Sequence, residues 1–165
     1  MNSELSIKLT HDKFRFHVST VETDNGNIFI GGNNYRLVLV LYYTGQVDAE
    51  KINLSITNLS LQICETLHHK TIVPSENPLL SVSKTEAQVN IDKIGGQGHL
   101  SFPLSCIAIV KLENTHIEDL CSHVGRTLIE KIKEKSSLEQ SINKIKVKVS
   151  QNIGPRVATM KFSIN

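Results

Sequence analysis

The hydrophobic period of this chain changes twice, and that change restricts its fold more than any other feature. Through residues 4–18 apolar side chains alternate, with Leu5, Ile7 and Leu9 in ELSIKL and Phe14, Phe16 and Val18 in KFRFHV. Alternation puts each set on one face of a half-buried strand. Residues 34–47, NYRLVLVLYYTGQV, are too rich in β-branched and aromatic side chains for a helix. They predict a strand paired antiparallel with the preceding one through the polar loop around TDNGN (23–27). The Gly/Asn stretch just before it, Gly31-Gly32-Asn33-Asn34, reads as the turn from which Tyr35 enters that strand.

The period then becomes helical. Ile52, Ile56, Leu59, Ile63 and Leu67 form one stripe, with Asn53 or Ser55 as the cap of its start. After Pro74, alternation returns in LLSVS, AQVNI, HLSF and IAIV, an inserted β segment over roughly 79–111 with Gly95-Gly96 as a turn. A second helix opens at NTHIEDL, where Thr115 and Glu118 have the spacing of a capping box. Leu120, Cys121, Val124, Leu128 and Ile132 are its buried stripe, and the lysines of KIKEKS suit its negative end. Two strands, 142–150 and 155–164, follow around QNIG. Separated runs of this kind predict an α+β fold, with two helices layered on one face of an antiparallel sheet. A chain of 165 residues fits one domain, 1–165.

Composition excludes several classes of function. A net charge of +2 supplies no long-range field for nucleic acid, and Lys144, Lys146 and Lys148 read as the solvent face of a strand. No apolar run approaches the ~20 residues that span a bilayer, and the charged N-terminus is unlike a signal peptide, so no membrane association is expected. Cys64, Cys106 and Cys121 have no paired spacing; they are expected as small buried hydrophobes in a reducing, cytoplasmic setting. His11, His17, His99, His116 and His123 have no metal-ligand spacing.

Four strings in order resemble the 6-pyruvoyl-tetrahydropterin synthase and 6-carboxytetrahydropterin synthase family, over nearly the whole chain. GGNNYRLVLVL is similar to the family's H-G-H-N-Y loop and strand, and KINLSITNLSLQICETLHHK to its D-F-x-x-L…L-D-H-K helix. LENTHIEDL resembles N-T-T-A-E-N-L, and IKVKVSQN the terminal V-x-V-x-E-T strand. VPSENPLL and the longer insert after it resemble archaeal members. The resemblance implies a tunnelling fold, homo-trimers or homo-hexamers with ligand pockets between subunits, and a pterin or purine-like ligand. Long strands such as NYRLVLVLYY and IKVKVSQN, with edges to cover, agree with assembly.

The resemblance also implies a zinc held by three histidines, but those positions fall on Thr20, Gly31 and Asn33. Amide and hydroxyl oxygens are poor zinc ligands, so no metal or other cofactor is expected. The loop VETDNGNIFI has no cysteine to match the family's, and the Asp-His pair becomes His68-His69. His69 is thus a vestigial catalytic residue without its orienting carboxylate. His68, beside it, is a candidate ligand-binding residue, and the two could form a residual acid–base or metal pair; histidines at a helix end interacting with its dipole are the commoner reading.

The pterin-anchoring glutamate aligns with Gln151, which offers one acceptor and one donor in place of two acceptors. Gln151 is either a ligand contact for an acceptor/donor edge or a turn residue of QNIG. Glu118 matches the family's second glutamate and Thr115 its neighbour, with helix capping as their other reading. Two functions lead: a synthase-like protein binding a pterin or purine-like heterocycle without zinc-dependent chemistry, or a non-catalytic scaffold for an active paralogue; an enzyme with new, metal-free chemistry on the same fold is a third, weaker option.

Overall fold

The computed structural model of the chain describes residues 4–24 and 27–164. Its organising element is the 16-residue strand β3 (Ile28–Tyr43). One edge of β3 pairs antiparallel with β1 (Leu5–Leu9) at its C-terminal end and with β2 (Arg15–Thr23) at its N-terminal end. The other edge pairs with β9 (Lys144–Gln151), which pairs in turn with β10 (Val157–Ser163). Beyond β2 the sheet continues through β4 (Lys70–Pro74) and β8 (Ile107–Val110), giving seven strands in all. The expected antiparallel sheet is present, and β4 and β8 add a parallel flank.

Helices α1 (Ala49–Leu67) and α2 (Ile117–Lys133), with the single turn α3 (Ser136–Glu139), cover one face. Alternation decides which side chains they meet. Phe16, Val18, Leu37, Leu39, Leu41, Ile145, Val147 and Val149 point into one core with Ile56, Ile63, Leu120, Leu128 and Ile132. Successive strand residues face opposite sides, so each strand contributes every second residue.

The insert folds as a three-stranded antiparallel sheet of β5 (Leu80–Lys84), β6 (Gln88–Lys93) and β7 (His99–Pro103). It packs on the other face of the main sheet, where Val21 and Val73 join Leu80, Val89 and Ile91 in a second, smaller core. Ile72 belongs to the first core and its neighbour Val73 to the second, as opposite faces of one strand require. IAIV is therefore a strand of the main sheet.

Several local expectations change. Asp48, not Asn53 or Ser55, caps α1, its carboxylate accepting the Lys51 N–H at 3.0 Å. KTIVP is a strand that helical periodicity hid, because it follows the helix after two residues. Residues 31–34 lie inside β3, and no turn precedes Tyr35. NYRLVLVLYY and IKVKVSQN are interior strands; among the described residues β1, β8 and β10 each pair along one edge only in the main sheet. Cys64 and Cys121 are buried, whereas Cys106 is exposed.

Gly125 is where helix and sheet come closest. A Cβ there would lie 2.2 Å from the Phe162 ring of β10. Overpacking of this kind costs ~1–3 kcal/mol, more than the ~1 kcal/mol of helix propensity that alanine gains. Gly125→Ala is expected to lower the melting temperature by a few degrees. The double variant with Phe162→Leu should recover most of that loss in the same thermal scan.

Candidate functional site

The β2–β3 hairpin sets Thr20 directly across from Gly31 and Val18 across from Asn33. Thr20 is buried, and Glu22, two residues on, shares its face of the strand. The Thr20 hydroxyl donates to Glu22 Oε1 at 2.8 Å, and this carboxylate lies over Gly31. A Cβ on Gly31 would stand 2.7 Å from Glu22 Oε1 and 3.2 Å from the Thr20 hydroxyl. Gly31 therefore sits in extended strand rather than in a turn, and a larger side chain there would displace the Glu22 carboxylate. The apolar alternation of KFRFHV stops at Val18 and gives no sign of Glu22; β2 runs on to Thr23, and alternation then places Glu22 beside Thr20.

Zinc does not fit this apex. Its donors are one carboxylate oxygen already bonded to Thr20, a hydroxyl and the Asn33 amide, a hard-oxygen set with no imidazole or thiolate. Among the described residues no three histidine, cysteine, aspartate or glutamate side chains are grouped to hold a metal ion.

Further along the same face, Tyr35 is 4% exposed, its ring 5.3 Å from that of Phe16. Gln151, the last residue of β9, is its cross-strand partner. Burial pushes the Tyr35 phenol up, while hydrogen bonding from Gln151 and Asn33 opposes the shift and the Glu22 charge adds to it. Gln151 thus belongs to a strand end and shares its surroundings with Asn33 and Tyr35. The side chain of Asn34 points the other way, meeting His17 Nδ1 at 2.6 Å.

The capping box does not form. His116 is the N-cap residue of α2, without a side-chain cap bond, and the buried Thr115 hydroxyl donates instead to the Val21 carbonyl at 3.4 Å. This contact ties the start of α2 to β2 and leaves a cleft of about 160 Å³, lined among others by Glu22, Asn77, Asn114, Thr115 and His116. Glu118 is exposed on the first turn and does not line it. Thr115 and Glu22 are brought together; Glu118 stays apart from them.

His68 and His69 lie elsewhere, where α1 gives way to β4. His68 caps the helix in extended conformation, and His69 takes φ +57°, the left-handed position that usually favours glycine. The change of backbone direction brings their ring centroids to 3.8 Å, tilted at 44°, instead of splaying them as a continuing helix would. His17 completes the group: its N–H donates to His68 Nδ1 at 3.0 Å, and its carbonyl accepts the His69 N–H at 2.8 Å. Desolvation, then the neighbouring His69 and His17, hold the His68 pKa below the ordinary imidazole range. His69 therefore has two imidazole neighbours, the rings of His68 and His17.

Comparison with known proteins identifies the fold. No protein-family profile matches the chain, and no curated protein matches it. Among solved structures it is similar to 6-pyruvoyl tetrahydropterin synthase from Plasmodium vivax, with a TM-score of 0.82, at 21% identity, over 98% of this chain and 99% of that one. A Plasmodium vivax variant with a catalytic glutamate replaced by cysteine matches equally well. The Plasmodium falciparum enzyme matches at 20% identity with the same TM-score and coverage. The chain has the fold of these synthases, as its sequence resemblance implied.

Two outcomes follow from this geometry. The purified protein is expected to hold well under one zinc per chain, and chelators should leave its melting temperature unchanged; stoichiometric zinc by elemental analysis after dialysis would contradict the oxygen-donor apex. The second concerns pH. A histidine whose folded pKa is lowered costs nothing above its unfolded value of ~6.5 and destabilises the fold as pH drops through 6.5 towards the folded value. His123, lowered chiefly by burial, acts in the same sense. Stability should therefore fall on acidification below pH ~6.5, and His68→Gln should flatten part of that slope in denaturant titrations across the range.

Proposed function

We propose that this chain is a 6-pyruvoyl-tetrahydropterin synthase-like protein that binds a pterin or purine-like heterocycle at a subunit interface without zinc-dependent synthase chemistry. The observation that carries this reading is the polar face formed by Thr20, Glu22, Asn33, Tyr35 and Gln151 on adjoining strands. Gln151 offers an acceptor and a donor to a heterocycle edge, and the free oxygen of Glu22 accepts from a ring or exocyclic N–H. Thr115 lies by Glu22 in the adjoining cleft. That cleft is small within one chain, and a second subunit across it would complete the enclosure.

Assembly into trimers or hexamers belongs to the same proposal. The edge strands β8 and β10 each leave backbone hydrogen-bonding groups on an open side, which neighbouring copies would satisfy. Glu22 also bears on chemistry: a glutamate is catalytic in the Plasmodium vivax enzyme, and Glu22 is the carboxylate nearest this chain's altered apex. His69, without a carboxylate partner, has a vestigial role in this reading. A cytoplasmic location fits the unpaired cysteines.

The test is calorimetry with a 2-amino-4-oxo pterin and with a purine, on protein whose mass in solution is first fixed by light scattering. Multiples of the 18.4 kDa chain mass corresponding to a trimer or hexamer are expected. Gln151→Glu should tighten pterin binding about tenfold, by restoring two acceptors and a charge-assisted pair. Negligible heats for both compounds in wild type and variant would favour the scaffold reading, in which the face is vestigial.

A further inference from the structure

A cavity of about 440 Å³ lies between the C-terminal half of α1 and the start of β2. Lys13, Arg15, Leu61, Cys64, Glu65 and His68 line it, and it shares no lining residue with the cleft at Thr115. Its volume is in the range of small-molecule sites. Leu61 and Cys64 give it an apolar wall, and burial pushes the Cys64 thiol up to about 11, so that wall stays uncharged at neutral pH.

Two of the lining side chains are cations and one is an acid. Among the described residues neither Lys13 nor Arg15 is in ion-pair contact with a carboxylate. Glu65 is the one acid of the lining, which leaves a net charge of +1. His68 adds a directed donor. Its Nδ1 accepts the His17 N–H at 3.0 Å, so the neutral ring carries its proton on Nε2. The lowered pKa keeps that ring neutral at pH 7, a hydrogen-bond donor rather than a third cation.

We propose that this cavity is a binding site for a small monocarboxylate with an apolar body, its carboxylate held by Arg15, Lys13 and His68 and its body against Leu61 and Cys64. A guanidinium matches a carboxylate with two parallel hydrogen bonds, which an alcohol or amine cannot reproduce. Glu65 disfavours a second negative charge, so dicarboxylates bind less well. The site is independent of the heterocycle reading, because it uses a different end of β2.

Benzoate titrated into the full chain, followed through backbone amide shifts of residues 13–17 and 60–68 and the His68 ring protons, tests this. Saturable shifts at these positions are expected with a Kd below ~1 mM. Arg15→Gln should weaken binding about tenfold, in line with loss of a charge-assisted bond, and Glu65→Gln should tighten it. Benzyl alcohol, with the same body and no charge, should bind at least about tenfold more weakly. Arg15 and Glu65 are exposed, and Lys13→Gln serves as a second cation variant if Arg15→Gln alters the fold. Gln151→Glu should leave benzoate affinity unchanged whatever it does to pterins. No shifts at about 10 mM benzoate, equal binding of benzyl alcohol, or cation variants without effect would each overturn the proposal.

Discussion

The register of β3 is the constraint on which the other parts depend. It holds β1, β2 and β9 at once, so its pleat decides the orientation of every side chain in the middle of the sheet. A slip of one residue would turn Leu37, Leu39 and Leu41 to the open face and bring Val38 and Val40 inward. The same slip would carry Gly31, Asn33 and Tyr35 off the face they share with Thr20. Core and candidate site are thus fixed by one set of backbone hydrogen bonds, and Tyr35 belongs to both: its ring packs on Phe16 while its hydroxyl end meets Gln151 and Asn33.

That arrangement explains why the altered residues around the apex form a consistent group. A histidine at position 31 would need room where Glu22 now lies, and Glu22 is held there by the Thr20 hydroxyl. A fixed carboxylate among amides favours a ligand edge that presents N–H donors. Burial makes each such contact worth more and each unmatched group more costly, which is why the face would select a ligand edge by its donor/acceptor pattern.

Much of the fold was legible because periodicity is a local property of the chain. The stripes of α1 and α2 and the alternation in β9 and β10 can be read from a few residues, and they place the core correctly. KTIVP was not legible: a parallel strand needs a partner remote in sequence to show itself, and five residues after a helix carry no period of their own. GGNN misled for a related reason. Glycine marks either a turn or a close approach, and only the carboxylate from the neighbouring strand shows which holds at Gly31. Thr115 and Glu118 have the spacing of a capping box, yet the competing acceptor at Val21 takes the threonine hydroxyl. Thr20, Gly31, Asn33 and Gln151 were singled out by the resemblance; Glu22 and the histidine trio were not, since both depend on how the chain turns at β2 and at the end of α1.

Net charge concealed a further feature. The uncovered face of the sheet carries Lys8, Arg36, Lys144, Lys146, Lys148 and Lys161, and Lys146 is directly opposite Lys161 across β9 and β10. Glu4, which pairs with Lys144 at 3.0 Å, is the acid found among them. Like charges opposite one another cost stability in the sheet, and their desolvation would cost far more. This face therefore cannot pack dry against a second copy of itself. The insert covers the sheet only at its β2–β4 end, where Val21 and Val73 supply an apolar surface and no lysine intervenes. In the proposed assembly, contacts between copies would fall to the sheet edges such as β8 and β10, where unpaired backbone groups would gain partners.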